Sequence, residues 1–151
     1  MIKKILVPLD GSKLAESVLT FAEDLAKKLE AEIALITVTN RVQGYWPFED
    51  SSSPGGIRML PQAACSQEEH ATNYLNDAAK GLEKSGIKVT KEVACGKTAQ
   101  EILYSADATH SDLIIISTHG RSGLSRLTHG SVAEAVLKKA RIPVMVVRPS
   151  K

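Results

Sequence analysis

The chain is short of the residues that announce special chemistry. Only two cysteines occur in 151 residues, Cys65 and Cys95. They form neither a CxxC pair nor a zinc spacing, so two reduced thiols are expected rather than a disulfide framework. The four histidines, His70, His110, His119 and His129, never fall three or four residues apart. No metal site is expected from them. Charge of one sign is also lacking: 19 Lys and Arg against 17 Asp and Glu leave a net +2. That is too weak for a nucleic-acid footprint. Long apolar runs are missing as well. No stretch approaches the ~18 residues of a membrane span. The opening Met1-Ile2-Lys3-Lys4-Ile5-Leu6-Val7-Pro8 is too short to be a signal peptide, because Asp10 interrupts it. Neither nucleic acid nor membrane is therefore an expected partner, and the expected location is the cytoplasm.

What is present is ordinary globular material, 43% apolar and 24% charged. The length suits a single domain over residues 1–151, and no internal repeat is visible. Apolar, β-branched runs alternate with segments of helical period. The strand candidates are Ile5-Leu6-Val7, residues 33–38, residues 87–93, Leu113-Ile114-Ile115-Ile116 and Val144-Met145-Val146-Val147. Most are nearly continuous, as in strands covered on both faces. Residues 87–93 mostly alternate, which predicts an edge strand.

Four helices fall between and after them. Leu14, Val18, Ala22, Leu25 and Leu29 share one face, with Ser12 as N-cap. Ala71, Leu75, Ala78 and Leu82 mark the second helix, stopped by Gly86. Thr98-Ala99-Gln100-Glu101 and Ser131-Val132-Ala133-Glu134 both match a capping box. The last helix would bury Val132, Val136, Leu137 and Ala140. Strict alternation of strands and helices predicts an open, doubly wound α/β fold with parallel pairing.

Residues 40–61 break the rhythm. They hold three prolines, three glycines and three of the six aromatics, Tyr45, Trp46 and Phe48. A loop this long in a compact domain is usually functional or disordered. Two readings stand: a surface loop pinned by its aromatics, or a lid or surface for an unknown protein partner.

In open parallel sheets ligands bind beyond the carboxyl ends of the strands, where the strand order reverses. After the first strand comes Pro8-Leu9-Asp10-Gly11-Ser12. After the fourth come Ser117-Thr118-His119-Gly120-Arg121-Ser122-Gly123 and then Gly130-Ser131 at a helix start. Glycines let a backbone approach an anion, and a helix N-terminus offers unpaired N–H groups to it. Arg121 and Arg126 could offset phosphate charge. The P-loop frame and the Rossmann G-x-G-x-x-G are both absent. No general base pairs with a nucleophile, so catalysis is limited to slow hydrolysis at most.

These stretches resemble the universal stress proteins. In that family the fourth strand is followed by G-x2-G-x9-G-S/T. Here the frame reads Ser117-x2-Gly120-x9-Gly130-Ser131, with Ser117 in place of the first glycine. The opening Ile5-Leu6-Val7-Pro8-Leu9-Asp10-Gly11-Ser12 and the closing Pro143-Val144-Met145-Val146-Val147-Arg148 are similar too. The resemblance implies a five-stranded parallel sheet of order 3-2-1-4-5 and an ATP-binding regulatory protein. Pro8, Leu9, Asp10, Val38, Ile116, Ser117, Gly120, Arg121, Gly123, Gly130, Ser131 and Val132 would surround the nucleotide. Mg²⁺ would bridge its phosphates. The last strand, 144–147, would pair with its copy in a homodimer. Two alternatives stay open. One is a dimeric interaction module with a degenerate pocket, favoured if position 117 needs a positive φ, which would cost serine about 1–2 kcal/mol. The other is a slow ATPase.

Overall fold

The computed structural model describes residues 1–39, 61–117 and 132–148. Strand and helix alternate along the chain: β1 Lys4–Pro8, α1 Lys13–Leu29, β2 Glu32–Thr39, α2 Pro61–Lys84, β3 Val89–Cys95, α3 Thr98–Ala108, β4 Leu113–Ser117, α4 Val132–Lys139 and β5 Val144–Val147. All pairings are parallel, in the order β3-β2-β1-β4-β5. The doubly wound α/β fold predicted from the alternation is the one observed.

The two faces of the sheet carry separate cores, set by the two-residue period of the strands. Ile5, Val7, Ile33, Leu35, Leu113 and Ile115 point to one face and meet Val18, Ala22 and Ala26 of α1 and Leu75, Ala79 and Leu82 of α2. Leu6, Ala34, Ile36, Ile114 and Ile116 point to the other and meet Ile102 and Ala106 of α3 and Ala133 and Val136 of α4. Right-handed crossovers require this division. The chain moves outward from β1 through β2 to β3 over the first face. It returns to β4 and continues to β5 over the second.

Local chemistry sets most boundaries. The Ser12 hydroxyl accepts from the Ala15 N–H at 3.1 Å, which is the predicted N-cap of α1. Gly86, at φ 79°, lets the chain reverse after α2, and its N–H donates to the Glu83 carbonyl. Proline at the first position of α2 has no N–H to leave unpaired. That helix starts ten residues before Ala71, the first position of its visible stripe, and among its described side chains Ala71, Leu75, Ala79 and Leu82 are buried. Ala78 is only partly buried. β3 is an edge strand, as its alternation suggested.

Two local expectations are corrected. Thr98 is not the cap of α3. Lys97 holds that place without a side-chain bond, its carbonyl accepting from Gln100 and Glu101 at 2.9 and 3.0 Å. Glu101 instead leans over Gly96, where any Cβ would collide with its carboxylate. The face of α4 is also different. Ala133 and Val136 are buried, while Val132 and Leu137 are 40% and 49% exposed. Val132 and Leu137 lie at the two edges of the apolar arc, about 140° apart around the helix, while Ala133 and Val136 lie between them and meet the sheet.

Cys95 is free and exposed. No helix among the described residues is long and apolar enough to cross a membrane.

Candidate functional site

The carboxyl rim of the sheet opens between β1 and β4. β1 pairs with β2 along its whole length, from Lys4 opposite Glu32 to Pro8 opposite Ile36. With β4 it pairs only at Ile5–Leu113 and Leu6–Ile114. Beyond Leu6 the ladder stops, although β1 runs to Pro8 and β4 to Ser117. At this seam the chain leaves β1 toward one face and β4 toward the other. This is the topological switch point of the sheet, where open α/β folds bind ligands.

Pro8 and Leu9 form the β1 side of the gap. Leu9 is buried, and both its main-chain groups are engaged: its N–H donates to the Ile36 carbonyl at 2.8 Å, and its carbonyl accepts from the Thr37 hydroxyl at 3.1 Å. Leu9 is thus a wall of the gap, with no main-chain group to spare. Thr37 was not singled out from the sequence. Its signal was a lone hydroxyl in the apolar run Ile33–Val38, and its buried bond ties the end of β1 to β2.

Asp10 is exposed and opens a tight turn. Its Oδ1 accepts from the Ser12 N–H at 2.9 Å and from the Ser12 hydroxyl at 2.5 Å, around Gly11 at φ 79°. An Asx turn of this kind fixes where the carboxylate sits. Asp10 therefore has a structural task in shaping the start of α1, besides standing at the rim.

Val38 contributes by its backbone. Even-numbered residues of β2 face β1: the Glu32 N–H donates to the Lys3 carbonyl, and the Ile36 carbonyl accepts from Leu9. Odd-numbered residues face β3, as the Thr39 carbonyl does in accepting from Gly96. Val38 continues the even series past the point where β1 ends. Its N–H and C=O are directed at the gap.

On the β4 side Ile116 is buried and Ser117 half-buried. Ser117 is the final strand residue and pairs with Val147 of β5. It is not among the residues of positive φ. Serine is consequently unstrained where the family pattern has glycine. Val132 opens α4 and is 40% exposed. The structure thus brings Pro8, Leu9, Asp10, Val38, Ile116, Ser117 and Val132 to one rim or its walls. Gly120, Arg121, Gly123, Gly130 and Ser131 lie outside the described residues, as do His119, Arg126, His129 and the loop at 40–60.

One further group lies near this rim. The Tyr74 hydroxyl of α2 is buried beside the Glu16 side chain and the Gly11 backbone, without a hydrogen bond of good geometry to either. Burial, with the nearby Glu16 and Asp10 carboxylates, pushes its pKa up to about 12. Among the described residues no group of three His, Cys, Asp or Glu side chains could hold a metal ion.

The sequence profile described as the universal stress protein family matches residues 1–148. The chain belongs to the universal stress protein family. Universal stress protein MJ0531 of Methanocaldococcus jannaschii is 34% identical over 149 residues, covering 99% of this chain and 84% of that protein. The solved structure of MJ0577, a universal stress protein of the same organism, has a TM-score of 0.82 at 30% identity and covers 100% of this chain and 99% of its own. More distant universal stress proteins share the fold. One from Archaeoglobus fulgidus, in complex with dAMP, has a TM-score of 0.63 at 21% identity, covering 97% of each chain. Another, in complex with cAMP, has a TM-score of 0.71 at 19% identity, covering 99% of this chain and 98% of its own.

Proposed function

We propose that this universal stress protein binds an adenine nucleotide at the carboxyl rim of its sheet and acts as a regulatory protein responding to it. The observation that carries this reading is the gap between β1 and β4, which opens past the Leu6–Ile114 pair. Nucleotide complexes of two relatives, with dAMP and with cAMP, agree with the choice of adenine. In this reading the base and ribose lie by Asp10 and the backbone of Val38, against Leu9 and Ile116. The phosphates lie at Gly120, Gly130 and Ser131, beside Val132 and the N-terminus of α4, whose dipole favours an anion. Arg121 offsets charge, and Gly123 gives the loop its clearance.

ATP is the nucleotide the glycine frame favours. A divalent ion, Mg²⁺, would arrive on its phosphate oxygens, since three charged phosphates at one helix end need neutralising. The residues at the rim bind and orient. Among the described ones there is no base aligned with a nucleophile, so the proposal includes no dedicated catalysis.

The proposal extends to assembly and place. The chain acts as one domain over 1–151, in the cytoplasm. Two copies join through β5, an edge strand with Met145 41% exposed, because an apolar edge needs covering. Residues 40–61 would face a protein partner.

The deciding experiment is to denature the purified protein and identify what it releases. Adenine nucleotide is expected, together with a rise in Tm when Mg-ATP is added; a ligand at 100 times its Kd stabilises by about 2.7 kcal/mol. Gly130→Val should abolish that rise while the apoprotein melts unchanged. No released nucleotide and no rise in Tm with ATP, AMP or cAMP would overturn the proposal. Undiminished ATP affinity in Gly130→Val would overturn the phosphate placement.

A further inference from the structure

α1 and α2 share one face of the sheet, and each starts at the carboxyl rim, because each follows a parallel strand. A hydrogen bond fixes their seam at one point. The Ser85 hydroxyl, just past the end of α2, donates to Glu23 of α1 at 2.6 Å. Tyr74 precedes Ser85 by eleven residues, and Ser12 precedes Glu23 by the same eleven. Eleven residues are about three helical turns, so the same two flanks meet again about 16 Å nearer the rim. The second meeting point is Tyr74 of α2 against the start of α1.

The contacts of Tyr74 agree with that register. It packs on the core cluster that holds Leu9, Ala15 and Val18. Its hydroxyl is shut off from water beside the Gly11 backbone and the Glu16 side chain. These residues belong to the turn that carries Asp10 and to the helix turn that follows it. The turn is tied on its own side by the Ser12 N–H and hydroxyl, which both donate to Asp10 Oδ1. Gly11 in its middle, at φ 79°, has no side chain with which to anchor it. Tyr74 stands on the other side. A buried phenol hydroxyl usually finds a partner, and this one makes no bond of good geometry. The hold on the turn therefore comes from the bulk of the ring.

We propose that Tyr74 is a positioning residue for the nucleotide site: its ring, set between α1 and α2, holds the turn at residues 10–12 in place and so sets where the Asp10 carboxylate stands at the rim. The consequence for binding rests on the nucleotide reading above; the brace itself does not. Tyr74 acts through Asp10 and touches no ligand.

Two measurements on variants of the full chain test this. The first needs no ligand: the rate at which the Ser12 amide exchanges with water, read by NMR. Tyr74→Leu keeps an apolar side chain on the core but removes the ring, and should speed that exchange about fivefold by letting the turn open. Tyr74→Phe keeps the ring and should leave the rate within about twofold. The second measurement is Mg-ATP affinity by calorimetric titration. Tyr74→Leu should weaken binding about tenfold, and Tyr74→Phe should restore it. In an Asp10→Ala background Tyr74→Leu should add less than about twofold, because the group it positions is already gone. An unchanged Ser12 rate in Tyr74→Leu would overturn the brace. Weakening by Tyr74→Phe equal to that of Tyr74→Leu would overturn the role of the ring. Equal weakening by Tyr74→Leu with and without Asp10 would overturn its action through Asp10. A wild-type chain that binds no adenine nucleotide would overturn the function proposed above, and the Ser12 rate would still decide the brace.

Discussion

Val136→Ala tests both the packing of α4 and its role at the rim. Val136 has no exposed surface, and within α4 only Ala133 is buried beside it. The helix has eight residues, too few to hold together without its docked face. The substitution removes two methyl groups from contact with the Leu6, Ile36, Ile114 and Ile116 cluster. Their transfer is worth about 1.6 kcal/mol. The cavity left behind raises the cost to about 2–3 kcal/mol. For a chain of this length that is a fall in Tm of about 4–12 °C. Val18→Ala is the control: the same chemistry at a site equally buried, on the opposite face of the sheet. Both variants should lose similar stability in urea and thermal melts. Only Val136→Ala should speed hydrogen exchange in α4 and weaken nucleotide binding, because α4 alone loses its anchor. Calorimetric titration reads the affinity. A cost below about 0.5 kcal/mol for Val136→Ala would refute the packing argument. Equal loss of affinity in both variants would refute the link between α4 and the rim.

Two pH dependences follow from the structure. Asp112 accepts from the Lys3 and Lys4 N–H groups at 2.7 and 3.0 Å, and these bonds hold its carboxyl below its ordinary value of 3.8. A depressed folded pKa gives stability that is present above 3.8 and is lost as pH falls below it. Asp112→Asn should therefore flatten the acid limb of the urea midpoint below about pH 4, and an unchanged limb would contradict the clamp. Tyr74 works at the other end of the scale. Its phenol is raised from 10 to about 12 in the folded chain, so the unfolded chain releases its proton first and stability falls as pH rises from 10 toward 12. Tyr74→Phe should remove that fall and leave stability at pH 7 unchanged or higher, because the buried hydroxyl makes no hydrogen bond of good geometry with its neighbours Glu16 and Gly11. Marked destabilisation at pH 7 would show that the hydroxyl makes a bond that matters.

Much of this was legible in the sequence because it depended on neighbours along the chain. The uninterrupted runs at Ile5-Leu6-Val7 and Leu113–Ile116 marked strands covered on both faces, and both proved fully buried. Ser12 and Gly86 acted within a few residues of themselves, and both performed as expected. The misreadings came where several local solutions were equally good. At α3 the sequence offered Thr98, but the helix begins one residue earlier in phase, with Lys97 as the cap and Glu101 lying against Gly96 instead of closing a capping box. On α4 the apolar residues Val132, Ala133, Val136, Leu137 and Ala140 fall within one arc of about 140°, and the pattern alone did not show which of them lie at its buried centre. Only the space above Ile114 and Ile116 selected Ala133 and Val136.

The candidate site divides in the same way. The sequence by itself determined the alternation of strands and helices, the family pattern and the rim residues Asp10, Ser117 and Val132. Each is a property of chain order or of residue type at a fixed spacing. Tertiary structure alone decided that β1 and β4 part after two pairs, that Leu9 spends its backbone on Ile36 and Thr37, and that Val38 points its own at the opening. It alone set the Tyr74 phenol of α2 beside Gly11. Those facts depend on how far apart two strands stand and which way each peptide faces. Distances of that kind arise only when segments remote in sequence are packed together.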